Sequence, residues 1–270
     1  MYGFARQPAP SAIAAIANFQ HINAMLPVLL RFRGIEIHSY PAFLFLGLTF
    51  GIIAGTHAGN ATGLEPTRLY LALVLLTIPA LVGSRLLYAL THWQFYRDHP
   101  HELFSRDTGG AALYGGLLLA LACSLPILRL LGLPLGAFWD AATITLLVGM
   151  IFTKIGCLLN GCCAGRPTSG LVGLELPNER GVWCRRVPSQ LLECGLAAVL
   201  LSGALFWKSP PFSGALFLGA VAIYTTARLP LGATRERADP TERLTVYNAI
   251  SVTLAVASVA CLLFLQPGKL

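Results

Sequence analysis

Charge is scarce in this chain of 270 residues. Asp, Glu, Lys and Arg together make up 11% of it, against about 25% in an ordinary soluble domain. The deficit runs the whole length, 55% of the residues are hydrophobic and the mean hydropathy is +0.67. That balance excludes a large soluble domain and points to a chain dissolved in lipid. Internal repeats are missing, and so is low-complexity sequence beyond an Ala-rich beginning. A clean signal-peptide plan is missing too: one early Arg is followed by prolines and a mild apolar stretch broken by Asn18, Gln20, His21 and Asn23. A surface-lying or membrane-dipping helix is therefore expected within the N-terminal segment 1–40. No Cys-x-x-Cys pair occurs, so an ordinary zinc site is not expected; no metal and no cofactor are anticipated.

What the chain has is apolar runs. They cover roughly 41–59, 67–90, 110–132, 135–160, 189–207, 211–231 and 246–266, each long enough to cross a hydrocarbon core of about 30 Å as helix. Gly and Pro inside them, as in "LTIPALVGSRLLYAL", count little against a span, because neighbouring helices can satisfy the freed backbone groups. The expected fold is an all-α integral membrane protein of about seven transmembrane helices. Residues 41–266 form its single domain, with a polar lipid-headgroup site at one membrane face. Lys and Arg concentrate in the N-terminal region and the 91–109, 161–188 and 232–245 loops. The positive-inside rule would place that side, and the N-terminus, in the cytoplasm.

Of the seven cysteines, Cys123, Cys194 and Cys261 fall mid-span and read as small packing residues. Cys157, Cys162, Cys163 and Cys184 border a glycine-rich lip, "KIGCLLNGCCAGRPTSG". They are candidate redox or structural thiols. Cys184 could pair with Cys162 or Cys163 in an oxidising compartment, and could complete a three-thiolate set only by folding back. His92, His99 and His101 lie in another loop. The favoured reading is that these cysteines are small residues that let backbone pack closely.

Charges inside spans are expensive, so each is a functional hypothesis. Arg85, Lys154, Arg228, Asp140 and Glu193 qualify. Snorkelling is the plain alternative for Lys154 and Arg228, and a helix N-terminal charge for Asp140 and Glu193. As a group, Arg85, Lys154, Arg166, Arg228 and Arg235 sit at or near span ends on the basic side. Fixed cations there suit a phosphodiester, and Arg engages phosphate with a planar fork. Gly115, Gly116, Gly161 and Gly165 would let backbone approach the ligand closely. The residues thus describe a site for an anionic phospholipid, open to the bilayer.

Six stretches in order resemble one family, the bacterial prolipoprotein diacylglyceryl transferases. "IEIHSYPAFLFLG" resembles its first-span His-x-Tyr, with Tyr40 on the tyrosine; "VGSRLLYAL" resembles its Gly-Arg-x-x-Tyr, through Arg85. "GGAALYGGLL" resembles its His-Gly-Gly-Leu, and "TKIGCLLNGCCAGRPT" its Gly-Arg-x-Gly-Asn-x-x-Asn-Gly-Glu-x-x-Gly-Arg. "RRVPSQLLE" resembles its His-Pro-Ser-Gln-Leu-Tyr-Glu, and "YTTARLPLGATR" its closing Arg-x-x-x-Glu-x-x-Arg. Departures are as specific. Tyr114 replaces the histidine before Gly-Gly, Lys154 the signature Arg, Cys157 its first Asn and Cys162 its Glu. Val187 replaces the other His and Gly232 the closing Glu. The chain looks like a member of a divergent branch with a Cys-Cys motif.

The resemblance implies a transferase that moves a diacylglyceryl group from phosphatidylglycerol to a cysteine thiol of a lipoprotein precursor or a related acceptor. It implies catalytic roles for Tyr40, Tyr114, Arg166, Arg228 and Glu193. It implies substrate contacts for Arg85, Gly115, Gly116, Lys154, Asn160, Gly161, Gly165, Gln190 and Arg235, with Ser189 also retained. Expected partners are phosphatidylglycerol or another anionic phospholipid and a precursor peptide, with no nucleic acid. The expected location is the bacterial inner membrane, with the N-terminus periplasmic and the C-terminus cytoplasmic, against the charge count. The alternatives are a non-catalytic anionic-phospholipid-binding protein on the same scaffold, and a thiol redox or metal membrane protein.

Overall fold

The computed structural model describes residues 25–32, 35–104, 112–178, 181–207, 209–236 and 242–265. Eight α-helices follow a short hairpin. The hairpin pairs β1 (Val28–Phe32) with β2 (Ile35–His38). The helices are α1 (Ser39–Ala61), α2 (Pro66–Thr91), α3 (Trp93–Asp98) and α4 (Leu113–Leu131). After α5 (Leu135–Asn160), a second hairpin pairs β3 (Leu174–Pro177) with β4 (Trp183–Arg186). Then come α6 (Ser189–Phe206), α7 (Ala215–Thr234) and α8 (Glu242–Phe264). All but α3 are long and apolar enough to cross a membrane, and the chain is a multi-pass membrane protein.

The helix ends have local causes. Glu65 accepts hydrogen bonds from the backbone N–H groups of Thr67 and Arg68 at 2.9 and 2.7 Å, and Pro66 opens α2 where no N–H is needed. Those bonds to the carboxylate hold the Glu65 pKa below its ordinary value. Helices α2, α4 and α7 run through Pro79, Pro126 and Pro230 without ending. Asp140, on α5, caps a different helix from its own. Its carboxylate accepts from Gly214 N at 2.6 Å and Phe217 N at 3.0 Å, covering the start of α7. The expected role as an N-terminal charge on its own helix is corrected accordingly.

Packing follows the rule for lipid, where no hydrophobic force draws helices together and close backbone contact must do it. Gly47, Gly51, Gly55 and Gly59 recur every fourth residue and lie buried along one face of α1. A Cβ on Gly51 would lie 2.6 Å from the Thr145 carbonyl oxygen, and one on Gly47 2.8 Å from Phe152 Cβ. The stripe thus presses α1 onto α5. Gly83 of α2 meets Gly115 of α4 in the same manner, and a Cβ on Gly116 would lie 2.7 Å from the Ala80 carbonyl oxygen. Gly115 and Gly116, expected to face substrate, pack closely against α2. Outward, the spans show Phe45, Ile78, Leu130, Val199 and Phe264, all well exposed. Apolar surface on that scale suits lipid, not water.

Residues 28–32 and 35–38 pair antiparallel, and the base of the pair is stitched to α5 by Leu26 N donating to Leu159 O at 3.1 Å. The stretch 1–24, where the surface-lying helix was expected, lies outside the described residues.

Candidate active site

Glu193 lies on the first turns of α6, facing inward, and its side chain is fully buried. A lone carboxylate in that setting would be very costly. It is held by three cations from two other elements. Lys154 Nζ of α5 is 2.6 Å from Oε2, and Arg228 Nη1 of α7 is 2.6 Å from Oε1. Arg235, just past α7, donates from Nε at 3.0 Å and also from Nη2. Residues 154, 193, 228 and 235 are remote in sequence but converge at one end of the bundle. Three cations on one carboxylate leave an excess of two positive charges. The reading of Glu193 as a mere helix-start charge does not hold. Tyr224, one turn earlier on α7, lies within electrostatic reach of Arg228.

The lip folds over this cluster. Helix α5 ends at Asn160 because Gly161 takes the left-handed conformation at φ 73°. Gly161 N bonds back to Leu158 O at 3.1 Å, and Cys162 N to Cys157 O at 3.1 Å. Cys163 also has positive φ, at 64°, which is uncommon for a residue with a Cβ. The two turns bring the sulfurs of Cys157, Cys162 and Cys163 within 4.8 Å of one another. Cys162 Sγ donates to Cys157 O at 3.7 Å. Its bond with Cys157 draws the Cys162 pKa down, but its bond with Cys163 and burial outweigh this and push it up to about 12. Cys163 is held well below the ordinary thiol range by hydrogen bonds from Cys157 and Cys162, helped by Arg235 and Lys154.

The segment beyond is tied on both sides. Gly165 N donates to Val187 O at 2.9 Å and Arg166 N to Thr234 O at 2.8 Å. Nothing larger fits at Gly165, where a Cβ would lie 2.6 Å from Ser189 Oγ and 2.8 Å from Thr234 O. Gln190, buried one turn before Glu193, donates Nε2 to Cys162 O at 2.7 Å. Its Oε1 has no hydrogen-bond partner among the described residues. Ser189 and Thr234 hydroxyls meet at 3.1 Å. Tyr40 opens α1 beside Gly156 and lies within electrostatic reach of all three sulfurs.

Lys154, Glu193, Arg228 and Arg235 thus form one cluster, adjoined by Tyr40, Cys157, Asn160, Gly161, Cys162, Cys163, Gly165 and Gln190. Arg166 is in the same strand-like segment with its side chain exposed. Tyr114 is buried behind the cluster, its hydroxyl 2.5 Å from Ser251 Oγ of α8. Arg85 is directed elsewhere: Nη2 donates to Glu102 O at 3.0 Å and the guanidinium lies 5.7 Å from the Tyr96 ring centroid. Cys184 is on β4 and outside the sulfur cluster, and all seven cysteines are free thiols. The bridge that Cys184 could have made to Cys162 or Cys163 is not formed, and the three-thiol set is completed by Cys157 instead. Sequence reasoning missed Arg186, whose 2% exposed side chain pairs with Glu236 at 2.8 Å and donates to Gly165 O at 3.4 Å. The signal was available: Arg186 lies inside the quoted "RRVPSQLLE".

Seven helices long and apolar enough to cross a membrane thus carry, at one end of the bundle, a buried carboxylate that holds three cations. The family model described as prolipoprotein diacylglyceryl transferase matches residues 27–264, and the chain belongs to that family of transferases. It is 28% identical over 254 residues to the phosphatidylglycerol--prolipoprotein diacylglyceryl transferase of Lactiplantibacillus plantarum, covering 88% of this chain and 86% of the relative. The enzyme of that name from Bacillus velezensis is 25% identical over 252 residues, covering 88% and 91%. A Clostridium perfringens relative, numbered 2 in its name, is 30% identical over 155 residues, covering 54% and 57%.

Proposed function

We propose that this protein transfers the diacylglyceryl group of phosphatidylglycerol to the cysteine thiol of a lipoprotein precursor. The observation that carries this reading is the Glu193 carboxylate holding Lys154, Arg228 and Arg235. In the reaction the thiol sulfur attacks a glyceryl carbon and the carbon–oxygen bond to phosphate breaks. Glycerol phosphate then leaves with the electron pair. Its charge grows along the way, and fixed cations in a dry site stabilise that growth without reorganising. The excess of positive charge around Glu193 is matched in sign and size to a phosphate monoester of about −1.5 to −2. Arg166, exposed at the lip, supplies a guanidinium fork to the same phosphate. Gln190 Oε1 offers an acceptor to a substrate hydroxyl.

The acceptor thiol, with a free pKa of about 8.5, must be a thiolate to attack. Tyr114 is poorly suited as the base, since an unperturbed phenol titrates near pH 10 and its hydroxyl is engaged with Ser251. That engagement favours the second reading, a phospholipid-binding protein that no longer transfers. The two readings separate in one experiment. Purified protein in phosphatidylglycerol vesicles is given a precursor peptide, and the peptide mass is read. A diacylglyceryl increment on the cysteine peptide, absent from its serine counterpart, supports transfer. Bound lipid without the increment supports the second reading.

We propose a location in the bacterial inner membrane, with the C-terminus cytoplasmic and the N-terminus periplasmic. The basic loops then face outward, where several of their arginines act on phosphate instead of marking the cytoplasmic side. A reporter fused at Leu270 that is active only in the periplasm would overturn this placement.

A further inference from the structure

The transfer step as drawn leaves the three sulfurs beside Lys154 unused and the acceptor thiol without a base. The sulfurs of Cys157, Cys162 and Cys163 lie within 4.8 Å of one another. Around a tetrahedral zinc ion at about 2.3 Å they would stand about 3.8 Å apart, so closing on the ion takes a contraction of about 1 Å at most. The backbone is built to deliver them. Cys157 is fixed on the last turns of α5 and is 3% exposed. Gly161 turns the chain at φ 73°, and Cys163 holds a left-handed φ of 64° that aims the Cys-Cys pair back at the helix end. Cys162 Sγ donates to Cys157 O at 3.7 Å, and Gln190 holds the Cys162 carbonyl. Lys154 and Arg235 lie within electrostatic reach of the Cys163 sulfur.

We propose that Cys157, Cys162 and Cys163 form a three-thiolate site for a divalent thiophilic metal ion of the zinc class, with its fourth position open to the acceptor cysteine. Three protein ligands and one open position is the pattern of catalytic zinc, as against the four of structural zinc. The use of the open position rests on the transferase reading; the metal site does not. There the precursor thiol coordinates the ion and gives its proton to water. Its sulfur, held as thiolate at neutral pH, forms the bond to the glyceryl carbon. Glycerol phosphate leaves toward Lys154, Arg228 and Arg235. The metal thereby does what the histidine absent at Tyr114 would otherwise be asked to do.

The test uses the full chain, purified and reduced in detergent, with zinc(II) and then cobalt(II) as a spectroscopic probe. One equivalent of zinc per chain should survive dialysis, and cobalt should show thiolate-to-metal charge-transfer bands. Cys157→Ser, Cys162→Ser and Cys163→Ser should each weaken binding by more than about tenfold, a loss that even outer partners of a metal site can cause. Cys123→Ser and Cys184→Ser should bind as wild type. A serine variant that aggregates is replaced by its alanine counterpart. Uptake below one equivalent, equal affinity across the variants, or a disulfide within the trio in place of metal would each overturn the site. Adding the cysteine peptide should change the cobalt spectrum where the serine peptide does not; no difference would overturn the open position. Metal binding with no peptide lipidation would count against the transferase reading and leave the three-thiolate site standing.

Discussion

Helix α5 serves two regions that are built on opposite principles. Along its first half, from Ala141 to Gly149, it meets α1 through a glycine stripe with backbone nearly in contact and no charge in the seam. Along its last turns, from Lys154 to Asn160, it carries a cation, a buried thiol and an amide into a cluster shared with α6 and α7. The first region uses shape alone, and a single methyl group would disturb it. The second uses charge, and its shape depends on every charge being answered. Their union on one helix explains how a polar site is kept rigid in lipid: the seam fixes the helix, and the helix fixes Lys154 and Cys157.

The largest break in this comparison is Glu193→Gln. It leaves three cations facing each other without a carboxylate, a change that costs about 3–5 kcal/mol when one partner of a buried pair is removed. Thermal unfolding in detergent should fall sharply, and transfer should vanish. Next is Gly51→Leu in the seam. Overpacking there should cost about 1–3 kcal/mol, seen as a lower unfolding temperature. The folded fraction should retain its KM for phospholipid, which separates scaffold from site. Arg228→Lys should do the reverse. It keeps the charge but loses the fork, so kcat should fall about ten- to hundredfold, the scale of a lost hydrogen bond to a charged group. The unfolding temperature should move little. Smallest is Asp140→Ala, which uncaps α7 for about 1 kcal/mol and should leave turnover of the folded protein unchanged.

The seven spans were legible because composition and run length decide them in lipid. Lys154, Glu193 and Arg228 were legible one by one, as charges that do not belong in a hydrocarbon core, and Arg235 as a cation near a span end. Their convergence on a single carboxylate was not, since the residues come from three regions far apart in the chain. The sulfur trio was hidden for a different reason. Adjacent Cys162 and Cys163 break the usual ligand spacing, and only the left-handed turns at Gly161 and Cys163 bring both back to Cys157. Gly115 and Gly116 were assigned to substrate because glycine admits close approach by any partner, and here the partner is α2. The short hairpins escaped notice because four or five residues in a polar loop carry too little pattern to stand out.

The central claim is that the cations gathered on Glu193 receive a phosphate leaving group when a cysteine thiol is lipidated. The most direct measurement is glycerol phosphate release by the purified protein in phosphatidylglycerol vesicles, with and without the precursor peptide. The account predicts release that requires the cysteine peptide and disappears in Arg166→Ala, whose exposed side chain is not needed for folding. Release that persists undiminished in Arg166→Ala would remove the proposed phosphate contact. No release from protein that binds the lipid and the peptide would contradict the account.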